Sequence, residues 1–171
     1  IVNLEQLGQG GAQLPPEYLA LLRDSAVIDY DADNLPAYAA DPTRVVVLPY
    51  GPAPYLQGAD SPALEDRPID LLFFGSMNAR RRAFFERVEA AGVTVSCFDQ
   101  PVYGEERDAF IRQAKAVLNC HFYDTSRFEQ ARAFQCLSLG TPVISERGPL
   151  TRPAPAFEDS VFWLGPDEGA I

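Results

Sequence analysis

No apolar run in this chain reaches the roughly 18 residues that a membrane-crossing helix needs, because Pro, Gly or a charged residue interrupts each one. Basic residues are scarce: 14 Lys and Arg stand against 24 Asp and Glu, for a net charge of −10. Such a balance supplies no basic stripe for phosphate-backbone binding, so a nucleic acid polymer is not an expected partner. Cysteine is limited to Cys97, Cys120 and Cys136, an odd number without CxxC spacing. That pattern fits free thiols in a reducing compartment rather than a disulfide framework, and predicts a cytoplasmic location. A complete GxGxxG fingerprint is missing as well: GQGGA (Gly8 to Ala12) has neither the full spacing nor a strand before it, and reads as a loop. Initiator Met and signal peptide are both lacking before IVNLEQL, and the chain stops at DEGAI just after strand-like SVFWL. The expectation is an excised piece, truncated at both ends.

What is present is enough for one core or one and a half: 171 residues with 47% hydrophobic content. PEYLALLRD (Pro16 to Asp24) has helical spacing, AVIDYD (Ala26 to Asp31) is strand-like, and DNLPAYA opens with the helix-capping pair Asp33 and Asn34. RVVVLPYG (Arg44 to Gly51) reads as a buried parallel strand stopped by Pro49 and Gly51. Prolines 49, 52, 54, 62 and 68 then break any hydrophobic period, which marks a linker or wrapped loop. Beyond it the rhythm is regular, with strands IDLLFFGS, VTVSCF, AVLNCHFY, TPVISE and SVFWL. Helices NARRRAFFERVEAAG, EERDAFIRQAK and RFEQARAFQCLSLG fall between them. Strands alternating with helices over short loops specify an α/β fold, a Rossmann-like doubly wound parallel sheet with both faces covered. The expected divisions are 1–50, a linker at 51–67, and 68–171.

In such sheets ligands bind beyond the carboxyl ends of the strands. The residues there are Gly75 and Ser76, the loop at Tyr103 and Gly104, His121 to Tyr123, and Glu146. Gly75 lets the backbone approach a phosphate, and a helix starting near Asn78 aims its positive end the same way. Arg80, Arg81 and Arg82 either grip a diphosphate with guanidinium forks or solvate a helix face, at least one of the three facing solvent. His121, the single histidine, stands at a strand tip and is a candidate catalyst or a satisfied structural residue. Cys120 falls on the opposite strand face from His121, and Cys136 lies among core residues of a helix, so both read as small hydrophobes. Asp29 and Asp31 form a DxD that is either a metal-dependent sugar-nucleotide motif or a capped strand end; as a calcium loop it fails, with Asn34 and Ala40 at the Gly and Glu positions. Glu129 and Arg132, three apart on a helix, can pair with each other.

Taken together, FFGSMNARR, VYGEERDAFIRQAKAVLNCHFYD and RFEQARAFQCLSLGTPVISE resemble a bacterial family related to the GT-B glycosyltransferases, the group 1-like glycosyl transferases. NLEQL, VIDYDADNLPAY, VVLPYG and FFGS fall in family order, so the likeness spans nearly the whole chain. It implies a donor domain from about Pro68 and the end of an acceptor-side domain before Tyr50. It implies metal-independent transfer of a sugar from a nucleotide-diphosphate sugar to a hydroxyl of a glycan, lipid or protein acceptor, the nucleotide sugar being a co-substrate and no cofactor being required. A missing N-terminal region would complete the enzyme. Gly75, Ser76, Arg80 and Arg81 match the diphosphate loop, and Tyr103 and Gly104 the loop that meets the base. Tyr123 and Arg132 join the donor-binding set, with His121 and Glu129 as the catalytic candidates. Asp108, Arg107 and Lys115 also match the family's motif, without a catalytic assignment. The pattern departs from the family at Arg127 and Gln135, which stand where many retaining members carry two glutamates. Gln135 can hydrogen-bond a ribose but cannot make the charge-assisted pair of a carboxylate. The alternative is a catalytically inactive relative serving as a binding or assembly module.

Overall fold

A computed structural model of the chain describes residues 1–8, 14–39, 41–51, 53–56, 61–98 and 100–165. Among them are two parallel sheets. The first contains β1 (Val2–Asn3), β2 (Val27–Asp29) and β3 (Val45–Val47), in spatial order β1-β2-β3. Helices α1 (Pro16–Asp24) and α2 (Leu35–Tyr38) connect them. Pro16 opens α1 where its missing N–H costs nothing. Asp31 caps the 3-10 turn before α2 by accepting from Asp33 N.

Both crossovers of this sheet step in the same direction, and right-handed connections therefore lay both helices on one face. On that face Leu7, Leu22, Val27 and Tyr38 form a small core. On the other, Val2, Ile28 and Val46, which are mutual register partners, are 58%, 41% and 61% exposed. The expected buried strand at 44–51 is thus corrected: β3 is three residues long and open on its outer face, because topology rather than composition decides which faces receive helices.

The second sheet has order β5-β4-β6-β7-β8, all parallel. Its elements are β4 (Ile69–Phe73), α3 (Ala79–Ala90), β5 (Val95–Cys97), α4 (Gly104–Arg112), β6 (Ala114–Asn119), α5 (Gln130–Ser138), β7 (Val143–Glu146), α6 (Pro155–Glu158) and β8 (Val161–Leu164). Leu71, Leu72 and Phe73 are buried in succession, the signature of a strand covered on both sides. Leu72 joins a core with Val117 of β6, Val143 of β7, Ile111 of α4, Ala133 and Cys136 of α5, and Leu139 just after α5. Phe73 joins the opposite core with Phe84 and Phe85 of α3, Leu118 and Cys120. Cys120 and Cys136 are therefore free thiols in separate cores, and burial pushes each up to about 12. The chain reverses its direction of travel between β4 and β6, so the crevice beyond these two strands is the topological switch point. This is an α/β fold of Rossmann-like kind.

The proline-rich stretch is not an independent tether throughout. Arg67, 5% exposed, donates to Pro62 O, Ala114 O, Thr141 Oγ1 and Gly140 O at 2.9–3.2 Å, tying its end to the second sheet. No helix among the described residues is long and apolar enough to cross a membrane.

Candidate functional site

The C-terminal end of β4 runs into Phe74, Gly75 and Ser76, and the last two are exposed. Gly75 has φ +136°, a conformation that side chains rarely adopt. A Cβ placed there would lie 3.0 Å from Arg132 Nη2 and 3.4 Å from Arg81 Nη1. Two guanidinium groups thus press against the bare backbone of this loop. Asn78 then starts α3: its Oδ1 accepts from Arg81 N at 2.9 Å, and its Nδ2 donates to Phe122 O at 2.7 Å. That cap fixes a 12-residue helix with its positive end toward the crevice and pins it to the loop after β6.

The three consecutive arginines have three different fates. Arg82 is exposed, as one of them was expected to be. Arg80 forks onto both carboxylate oxygens of Glu146 and also donates to Asp124 Oδ1 at 2.5 Å and His121 O at 2.9 Å. The bond to Glu146 raises its pKa still further despite burial, so it is a permanent cation. Arg81 is 3% exposed, donates to Cys120 O at 2.9 Å and Ser76 O at 2.8 Å, and pairs with Glu129 Oε1 at 2.9 Å. Its guanidinium lies 4.9 Å from the Phe73 ring centroid and 5.2 Å from that of Phe122.

Arg132 completes the group from α5. It pairs with the second oxygen of Glu129, donates to Asn119 Oδ1 at 2.5 Å, and lies 5.3 Å from the Phe74 ring. Its Nε is buried without a hydrogen-bond partner among the described residues. The i,i+3 pairing expected of Glu129 and Arg132 is present, although Glu129 is the cap preceding α5 rather than a residue within it. Glu129 consequently bridges the guanidinium groups of Arg81 and Arg132 at the edge beside Gly75.

His121 is fully buried rather than presented to the crevice. Its Nε2 lies 3.4 Å from Thr151 Oγ1, its Nδ1 has no hydrogen-bond partner among the described residues, and Gly148 closes over the ring. Burial pulls its pKa below the ordinary 6.5, against the opposing effect of Glu146 and Glu129, and so favours the neutral ring. Burial alone would raise Glu146, but the Arg80 fork and the His121 amide at 3.1 Å hold it below its usual range. Glu146 and Asp124, absent from the expected donor-binding set, are thus the carboxylate partners of Arg80. The strand-end position of Glu146 was the available signal; the reach of Asp124 across to Arg80 left none in the sequence.

Tyr103 caps α4 and is 72% exposed, beside Gly104 at φ +61°. Gln135 donates to Asp108 Oδ1 at 2.5 Å, joining α5 to α4. The Arg107 guanidinium lies 5.5 Å from the Phe74 ring, the same ring approached by Arg132. Tyr123 is 39% exposed and packs edge-on against Phe122. Gly75, Arg81, Glu129 and Arg132 are brought together directly; Tyr103 and Gly104 belong to a separate loop. Lys115 pairs with Asp70, where β6 and β4 begin, away from the carboxyl edge.

Asp29 of the DxD is fully buried and accepts from Asn3 Nδ2, Asn34 Nδ2, Tyr38 OH and Asp31 N at 2.8–3.0 Å. Four donors saturate its carboxylate, which supports the capped-strand-end reading. No cluster of three or more His, Cys, Asp or Glu suited to a metal is found among the described residues. Of the GQGGA segment, all but Gly8 lies outside those residues, as does Ala40.

The fold and the corner define a parallel α/β protein of Rossmann-like kind with a cluster of paired arginines and carboxylates at its switch-point edge. The chain is similar to three uncharacterized proteins of Acanthamoeba polyphaga mimivirus. The first is 28% identical over 153 residues, covering 85% of this chain and 48% of that protein. The second is 27% identical over 129 residues, covering 70% and 16%. The third is 28% identical over 81 residues, covering 47% and 9%. The chain therefore spans about half the length of one curated relative and a smaller part of the others. No protein-family model matches it.

Proposed function

We propose that residues 68–165 form the nucleotide-sugar-binding unit of a GT-B type glycosyltransferase, with the first sheet as the end of its acceptor-side unit. The observation that carries this reading is the approach of Arg81 and Arg132 to the positive-φ backbone of Gly75 at the switch point. A diphosphate placed there would meet two guanidinium groups and the N-terminus of α3. The same groups would stabilise charge developing on a leaving nucleoside diphosphate, without requiring a metal. The exposed Tyr103 offers a face for the base, and Gln135, whose Nε2 donates to Asp108, an amide oxygen for the ribose. Isothermal titration with UDP, GDP and dTDP tests the reading: saturable binding of one of them supports it, and no binding of any overturns it.

A catalytically inactive binding module is the second reading, and three observations favour it. Arg80 and Arg81 are engaged internally, Gln135 is engaged with Asp108, and Arg127 takes a position where many retaining family members have a carboxylate. Nucleotide binding without release of nucleoside diphosphate from any nucleotide sugar, across a panel of saccharide and lipid acceptors, would select this reading.

A further inference from the structure

The two sheets are joined by less chain than the proline-rich stretch suggests. Leu48 N donates to Asp29 O at 2.7 Å and so belongs to the first sheet. Ala53 N donates to Ser138 Oγ at 3.3 Å, and Arg112 Nη2 donates to Leu56 O at 3.2 Å, so the chain from Ala53 belongs to the second. The connection is confined to the few residues between Leu48 and Ala53. Within it, Tyr50 lies between two rings, 5.2 Å from Tyr30 of the first sheet and 5.1 Å from Phe134 of α5. A groove of about 310 Å³ opens beside this aromatic contact, lined from both sides by residues such as Leu4, Tyr30, Tyr50 and Phe134.

A second crossing is made by Arg127. Its main-chain N donates to Gln6 Oε1 at 3.2 Å and its Nη2 to Asn34 Oδ1 at 2.5 Å, with Asp31 Oδ2 at 3.4 Å. The receiving side is rigid: Asn34 is fully buried and also bonds Leu7 N, Glu5 O and Asp29. The delivering side is rigid too, because Phe128 packs edge-on against Phe157 and Trp163. Gln6 Nε2 and Arg127 Nε, on the two residues that meet at this seam, are buried without a hydrogen-bond partner among the described residues.

We infer that Arg127 is a latch that holds the carboxyl edges of the two sheets together, and that releasing it lets them part about a pivot at Tyr50. Arginine suits the task because its planar fork addresses an amide oxygen and a carboxylate at once, which lysine cannot reproduce. The latch acts between packed units and stands whether or not a nucleotide binds.

Hydrogen exchange and small-angle X-ray scattering on the whole chain and on Arg127→Ala, Arg127→Lys and Asp31→Asn test this directly. Residues 114–119 of β6 serve as the internal control for folding. Arg127→Ala is expected to speed exchange at least tenfold in peptides spanning residues 125–130 and to enlarge the radius of gyration, with β6 protection unchanged. Arg127→Lys should recover part of the protection, and Asp31→Asn should lose part of it. Unchanged exchange at 125–130, or faster exchange there with an unchanged radius of gyration, would overturn the latch. Should Arg127→Ala also lose β6 protection, Asp31→Asn decides: an unaltered seam in that variant refutes the inference.

Discussion

Arg81 and Glu129 form a nearly buried ion pair, Nη2 to Oε1 2.9 Å, in which the arginine side chain is 3% exposed and the carboxylate 27%. Since Glu129 also neutralises Arg132, its removal would strand two cations. Glu129→Ala is expected to lower stability by about 3 kcal/mol, the cost of leaving buried charge unpaired. Urea denaturation at pH 7 measures it; a loss within about 0.5 kcal/mol, ordinary for surface substitutions, would show that the carboxylate holds nothing in place.

A side chain at Gly75 would crowd Arg132 Nη2 at 3.0 Å and adopt φ +136°, a conformation that L residues rarely take. Gly75→Ala should cost about 1–3 kcal/mol through backbone strain. If the loop receives a diphosphate, the same substitution should weaken nucleoside diphosphate binding at least tenfold while leaving nucleoside binding little changed. Calorimetry with UDP and uridine, each on both proteins, separates the two effects.

Acid should destabilise the protein in two stages. His121 and Glu146 both have folded-state values below their ordinary 6.5 and 4.5, so on acidification the unfolded chain takes up these protons first. The His121 contribution is complete above about pH 6.5 and declines as pH falls toward its lower folded value, at up to about 1.4 kcal/mol per pH unit. The Glu146 contribution begins to fall only below its ordinary value. Unfolding midpoints between pH 7.5 and 4 should lose the first stage in His121→Gln. An unchanged slope in that variant would mean that the buried ring does not govern the acid response.

Asp29 separates a structural carboxylate from a metal ligand. Its four donors predict that Asp29→Ala costs about 3 kcal/mol or more, by leaving buried polar groups without an acceptor. Chelation with EDTA should leave thermal stability and nucleotide binding of the native protein as they were. A shift of several degrees on chelation would restore the DxD reading.

The second sheet was legible because each of its strands is a short apolar run set off by an amphipathic helix or a turn. Local pattern is what a sequence carries, and Ile69–Phe73 and Ala114–Asn119 are strong local patterns. β1 escaped notice because two residues have no periodicity, and the open face of β3 depends on crossover handedness rather than on Val45–Val47 themselves. At the site, Gly75 and the helix start were readable as a strand-to-helix loop. The partners of the arginines were not: the Arg80–Glu146 pair spans 66 positions and Arg81–Glu129 spans 48, separations that only the fold brings together. His121 shows the same limit, since its strand-end position suggested access while Gly148 and Thr151, from a later loop, cover it.

The central claim rests on the corner formed by Gly75, Arg81 and Arg132, and calorimetric comparison of nucleoside diphosphate with nucleoside on the native chain and on Arg132→Gln tests it most directly. The account predicts saturable binding of UDP, GDP or dTDP at least tenfold tighter than the matching nucleoside, with that preference lost in Arg132→Gln while β6 stays protected from hydrogen exchange. No saturable binding of any of the three, or a diphosphate preference that survives in the variant, would contradict it.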